Sequence, residues 1–203
     1  MDNTEDAEGQ RQKELMLRGE SYDPTCKLLM LEREKAHDAC FVFNNTRYEK
    51  DRLRLIREEL NINFPEDSQP WIIPPFYCDY GYNIHVGKDA FINFNCVFLD
   101  VVKITLGDNC FMGPGVQMYT ARHPLDHKLR STFLEDAREI TIGNDCWIGG
   151  SAVFCPGSSV GDRVVVGAGA VVTKKFPSDV VIAGTPATII RHLDPRDGSQ
   201  REA

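Results

Sequence analysis

Aliphatic side chains return every six positions along much of this chain. Val86, Ile92 and Phe98 make one run, Leu106, Met112 and Met118 a second, and Ile142, Ile148, Phe154, Val160, Val166 and Val172 a third. Period six is neither the 3.6 of a helix nor the alternation of a plain strand. It marks a parallel β-helix of hexapeptides, in which each unit gives one short strand and a corner, and three units close a coil. The aliphatic then points into a narrow three-sided core and stacks on its equivalents above and below. Four positions later comes a small or medium side chain (Ala90, Cys96, Cys110, Val116, Cys146, Ala152, Ser158, Val164, Ala170) that shares an interior too tight for a large one. Glycine often follows the aliphatic, as at 87, 107, 113, 143, 149, 161 and 167, and is expected to take corner angles that would strain other residues.

The flanks follow other patterns. Residues 1–10 and 194–203 are polar with nothing to bury and are expected as frayed tails. Residues 11–64 are expected as an N-terminal helical region. A short helix ends near Gly19; Leu28, Leu31 and Ala39 then recur at helical spacing, and DRLRLIREEL at 51–60 is amphipathic, with a break at Asn44-Asn45-Thr46. Four prolines in residues 65–75 exclude a helix there, so 65–85 reads as an extended linker and first strands. The β-helix is expected over 86–193. Its rhythm breaks twice. Phe98 to Leu106 is eight positions, and Met118 to Ile142 is 24, with no clean repeat from Thr120 to Glu139. The second break predicts a loop at about 120–139 thrown out from the coil, with Arg122-His123-Pro124 at its root. Long loops on rigid scaffolds are where function concentrates.

Charge and cysteine usage narrow the function. A formal net charge of −7 over 203 residues argues against a general nucleic-acid binder, whose affinity depends on cations neutralising phosphates. A local basic patch remains compatible with a small anionic ligand. The opening MDNTEDAEGQ lacks the basic-then-apolar build of a signal peptide, and no apolar run is long enough for a bilayer, so no membrane partner and a cytosolic location are expected. Seven cysteines without a CxxC pair read as free thiols. Three of them (96, 110 and 146) occupy the small inward slot, where packing is their expected role.

Several segments carry a resemblance. The hexapeptide array, 78-CDYGYNIHVG-87, 93-NFNCVFLD-100, 112-MGPGVQMYTARHPLD-126 and 142-IGNDCWIGGSAVFCPG-157 together resemble the maltose/galactoside O-acetyltransferase family of hexapeptide-repeat acyltransferases. SYDPTC and FNNT resemble that family's N-terminal region, so the likeness runs from about residue 10 to 193. It implies a left-handed parallel β-helix, an exception to the usual right-handed crossover. It also implies a homotrimer with sites in the clefts between subunits, and transfer of acetyl from acetyl-CoA to a hydroxyl of a maltose-, glucose- or galactoside-type sugar, without a metal.

That reaction needs a base for the hydroxyl, donors for the oxyanion of the thioester, and a surface that holds both substrates together. An imidazole suits the first task. His123, held in extended conformation by Pro124, occupies the position of the family's catalytic histidine; alone it would read as a surface residue. The resemblance places Asp23, Asp79 and Asn93 at the acceptor, where local readings would make Asp23 a helix cap and Asn93 a turn residue. Asp100 is expected with these acceptor residues, orienting an imidazole, or else simply satisfying a corner amide. Tyr82, with Tyr80 and Tyr119, is a sugar platform or a packing residue. For the donor, the resemblance puts Trp147, Gly149 and Gly150 along the pantetheine arm and Ala168, Thr173, Lys174 and Arg191 near the nucleotide. Where the galactoside enzymes carry a second arginine, three residues before Arg191, this chain has Thr188, for which Lys175 is a candidate substitute.

Two other readings stand beside this one. The same chemistry could serve a non-sugar acceptor such as an antibiotic. A gamma-type carbonic anhydrase would need three zinc-binding histidines, for which His85, His123 and His127 are available.

Overall fold

A computed structural model describes residues 3–47 and 49–194. From Trp71 the chain climbs a parallel β-helix with three faces. The first stacks Trp71–Ile72, Phe91–Ile92, Phe111–Met112, Trp147–Ile148, Val165–Val166 and Val180–Ala183. The second stacks Phe76–Cys78, Cys96–Leu99, Gln117–Tyr119, Val153–Phe154 and Val171–Val172. The third stacks Ile84–Val86, Ile104–Leu106, Ile140–Ile142, Ser159–Val160 and Lys175–Phe176. Each circuit visits the faces in that order and rises by one inter-strand spacing, about 4.8 Å. Every inward aliphatic and every small partner expected from the repeats is buried. The cysteines in the small slot pack and bond locally: Cys110 Sγ lies 3.0 Å from the Gly143 carbonyl of the next coil, and Cys146 Sγ 3.2 Å from that of Gly161.

The expected reason for the glycines needs correcting. Gly107, Gly143 and Gly149 do not have positive φ; that conformation falls instead on the residue before the small slot, as at Asn109 (54°) and Asp145 (56°). Asn and Asp tolerate it better than most residues. The glycines after the aliphatics answer to close approach: a Cβ on Gly143 would stand 2.5 Å from the carbonyl carbon of Gly161 in the next coil.

Two boundaries also differ. The β-helix begins at Trp71 rather than Val86, since Trp71–Ile72 pairs with Phe91–Ile92 and Phe76–Cys78 with Cys96–Phe98. The prolines that suggested a linker, Pro70, Pro74 and Pro75, flank these strands and take no ladder position inside them. At the start, α1 (Asn3–Leu17) makes residues 3–10 helical where a tail was expected. Glu8 bonds Arg11 and Gln12 one turn on, and Gly9 lets the helix lie close to Leu28. The expected C-terminal tail beyond Asp194 lies outside the described residues.

Helices α2 (Lys27–Asn45) and α3 (Glu49–Glu58) lay Ala39, Cys40, Phe43, Leu55 and Ile56 over the first coil, joining its core. A second cluster ties Met16, Tyr22 and Leu29 to Tyr80, Val101, Val102 and Ala137. After the last coil, Thr188–His192 turns back antiparallel on Val180–Ala183. The rhythm of the inward residues is broken at one corner only, between the second and third faces. Cys78 to Val86 and Phe98 to Leu106 are eight positions each, and Met118 to Ile142 is 24. Three enlarged turns therefore sit one above another.

Candidate active site

The largest of those turns is an ordered excursion. Thr120, fully buried, anchors its root: its hydroxyl donates to the Leu99 carbonyl at 2.7 Å and accepts the Val102 amide at 3.2 Å. Ala121–Arg122 then pairs antiparallel with Asp136–Ala137, and Arg122 Nε donates to Asp136 at 2.6 Å. Between them, Asp126 caps the single turn α4 (His127–Arg130). His123 lies just beyond the paired segment with its side chain 58% exposed, and its Nε2 is 3.7 Å from a Glu135 carboxylate oxygen.

Glu135 was not foreseen. It is nearly buried, its backbone bridges Tyr22 in both directions, and the Tyr22 hydroxyl donates to its other carboxylate oxygen. Burial, reinforced by the adjacent carboxylate, keeps the Tyr22 phenol well above its ordinary pKa and therefore a donor. Glu135 is one of several acids in the non-repeating stretch, and no spacing marks it out. Only the pairing of a residue near the N-terminus with the loop selects it.

Asp100, in the enlarged turn one coil earlier, holds the turn below it, two coils before the excursion. With no exposed surface, its carboxylate accepts the amides of Asp79 (3.0 Å), Tyr80 (2.9 Å) and Asn83 (3.3 Å). Burial pushes its carboxyl up to about 8 against the pull of these amides. Asp100 therefore satisfies corner amides, and the expected place at the acceptor is corrected to one that shapes the turn carrying Asp79. Asp79 stays partly accessible. Burial raises its pKa, while Arg33 and His37 draw it back, His37 Nε2 standing 3.9 Å away. Arg33 also donates to the Tyr80 hydroxyl at 2.7 Å and to the Pro24 carbonyl at 2.6 Å, holding the segment after Asp23 against this corner. Asp23 accepts the amide and hydroxyl of Thr25, while the N-cap position of α2 falls on Cys26, whose side chain makes no capping bond. The Tyr82 hydroxyl donates to Glu32 at 2.8 Å and Lys13 covers its ring, contacts that favour the packing role of the two expected for it.

The remaining expected residues divide by edge. Thr173 and Lys174, exposed, lie on the same corner as His123, two coils further on. Asn93, Gly149, Gly150 and Ala168 lie on the corner between the first and second faces, where amides and carbonyls link successive coils. Asn93 bonds the Phe94 amide at 2.8 Å, as a turn residue does. Trp147 is exposed on the first face, and Arg191 is on the returning strand at its end. One chain thus gathers His123, Glu135 and Asp79 on one edge and sets the Gly149–Gly150 backbone on another. His85, on the third face, and His127, on α4, form no metal-ligating group with His123; among the described residues no cluster of three or more His, Cys, Asp or Glu is placed to hold a metal.

Stacked hexapeptide coils, a helical cap on the first coil and an exposed histidine at the root of the one long excursion define a hexapeptide-repeat transferase. Comparison with known proteins agrees. Residues 139–174 match the family model described as bacterial transferase hexapeptide (six repeats), and residues 15–61 the maltose acetyltransferase hexapeptide capping motif. The galactoside O-acetyltransferase of Escherichia coli (strain K12) is 36% identical over 180 residues, 88% of either chain. A Schizosaccharomyces pombe relative is 47% identical over 131 residues, 64% of this chain and 63% of that one. A solved maltose O-acetyltransferase from Clostridium difficile 630 superposes with a TM-score of 0.86 at 41% identity, covering 90% of this chain and 97% of that one. A galactoside acetyltransferase in complex with coenzyme A gives 0.86 at 34% identity over 95% and 96%. The chain belongs to the maltose/galactoside O-acetyltransferase family.

Proposed function

We propose that the protein moves an acetyl group from acetyl-CoA to a hydroxyl of a maltose-, glucose- or galactoside-type sugar, with His123 as general base. The observation that carries this reading is the exposed His123 imidazole backed at 3.7 Å by Glu135 and set on the edge that also presents Asp79. Glu135, fixed by Tyr22, orients the imidazole and offsets the charge it gains when it takes the proton. Asp23, Asp79 and Asn93 bind acceptor hydroxyls, and Asp100 holds the turn that carries Asp79. Trp147, Gly149, Gly150, Ala168, Thr173, Lys174 and Arg191 hold the donor, an amide of the Gly149–Gly150 corner serving the oxyanion.

Since those groups occupy two edges of one chain, the reading includes a homotrimer in which a neighbour's first-to-second corner meets the His123 edge. It also includes a cytosolic location, in keeping with seven unpaired thiols. Release of free thiol from acetyl-CoA across a panel of sugars, glycosides and antibiotics tests the reading. Turnover of a sugar that vanishes in His123→Ala is the expected result; no turnover of any sugar, or turnover indifferent to His123, overturns it. Sedimentation equilibrium checks the assembly, where a mass near one chain would remove the shared cleft.

A further inference from the structure

Seven cysteines are free, and most are accounted for by the coil interior or by isolation. One pair is not. Cys40 on α2 and Cys78 on the second face of the first coil have their sulfurs 3.7 Å apart, across 38 positions of sequence. Both line a cavity of about 580 Å³ between the helix and the coil, together with His37, Phe41, Tyr77 and Asp79. Cys110 and Cys146, in neighbouring coils, also hydrogen-bond each other and the backbone carbonyls of the next coil, but neither is among the residues lining this cavity.

We propose that Cys40 and Cys78 are a thiol pair that small disulfides of the glutathione type convert to an intramolecular disulfide, stapling the helical cap to the first coil. The sulfurs need to close only to the about 2.05 Å of an S–S bond, and the cavity gives a small oxidant room to enter. The hydrogen bond between the two thiols lowers the pKa of Cys40 and, with burial, raises that of Cys78, which makes Cys40 the first nucleophile. The Cys40 thiolate attacks one sulfur of glutathione disulfide, forming a mixed disulfide and expelling one glutathione thiolate. Cys78, giving up its proton to solvent, then attacks the Cys40 sulfur and expels the second. Two thiols are oxidised and one glutathione disulfide is reduced to two glutathiones. The proposal is independent of the acetyl-transfer reading.

The full-length protein is incubated with oxidised glutathione, denatured in acid, alkylated and digested. A single cross-linked species joining the Cys40 and Cys78 peptides is expected, with Cys96, Cys110 and Cys146 still alkylated, a mass loss of two hydrogens and a raised thermal midpoint. Cys40→Ala abolishes the cross-link. Full alkylation of Cys40 and Cys78 after treatment overturns the proposal. So does a cross-link between other cysteines, or a product that stops as a glutathione adduct on Cys40. The mapping uses the unaltered protein, so it decides the question even where a variant misfolds.

Discussion

Tyr22 and Glu135, 113 residues apart in sequence, bridge through their backbones and bond through their side chains directly behind His123. The N-terminal region thereby supports His123 as well as covering the end of the coil. Replacing Glu135 by Gln keeps a similar shape but removes the charge facing the imidazole. We expect kcat to fall on the order of 10–10²-fold, with little change in acceptor KM. In the double variant with His123→Ala, the loss should match that of His123→Ala alone; independent, multiplying losses would show that Glu135 does not act through the histidine.

His123→Ala should lower the acetylation rate on the order of 10²–10⁴-fold. The imidazole is more exposed than buried, so the thermal midpoint should hold. Circular dichroism melts run beside the thiol-release assay separate lost chemistry from lost fold.

Asp100 predicts a pH dependence of stability. Its folded carboxyl sits at about 8 because it is buried, well above the ordinary value near 3.8. As pH rises through the ordinary value, the unfolded chain releases this proton while the folded chain keeps it, so stability declines from about pH 4 to about pH 8. Asp100→Asn should be less stable at low pH, having lost an acceptor, yet show a shallower decline. Parallel slopes in urea titrations across that range would contradict the assignment.

Gly143→Ala should destabilise by about 1–3 kcal/mol or more, because the added methyl meets the backbone of the next coil. Asn95, which has φ 61°, should accept Gly at little cost and Val only at about 1–2 kcal/mol. Chemical denaturation of the three variants measures both causes. Equal costs for Gly143→Ala and Asn95→Gly would leave close approach without support.

For the donor, Arg191→Ala should raise the acetyl-CoA KM about tenfold and leave the acceptor KM unchanged, with the difference shrinking at high salt. Thr188→Arg, on the same returning strand, should lower that KM. Unaltered donor KM in both variants would move the nucleotide elsewhere.

The coil interior was legible because one period, repeated, fixes which side chains face inward: Ile92, Met112, Ile148 and Val166 fall in one column as the spacing requires. The first coil was not, because Pro70, Pro74 and Pro75 surround strands of only two or three residues and hide the six-residue step from Ile72 to Cys78. Residues 3–10 of α1 offer no apolar stripe to read, and their approach to α2 depends on Gly9 meeting Leu28. At the site, His123 was visible as an interruption of the rhythm. Glu135 and Arg33 were not, since their roles arise from contacts between the N-terminal segment and the corners, which no local pattern records. Asp100 looked like a ligand group because a polar residue near a motif carries no sign of whether it faces inward or out.

The enlarged turns all lie at one corner of the prism, while the other two corners keep their minimal length. Residues can be gained, lost or exchanged there without shifting the register of any strand above or below. Lineages of such a chain could therefore drift from one alcohol to another while inheriting the same scaffold, and diversity among descendants should accumulate along that single seam.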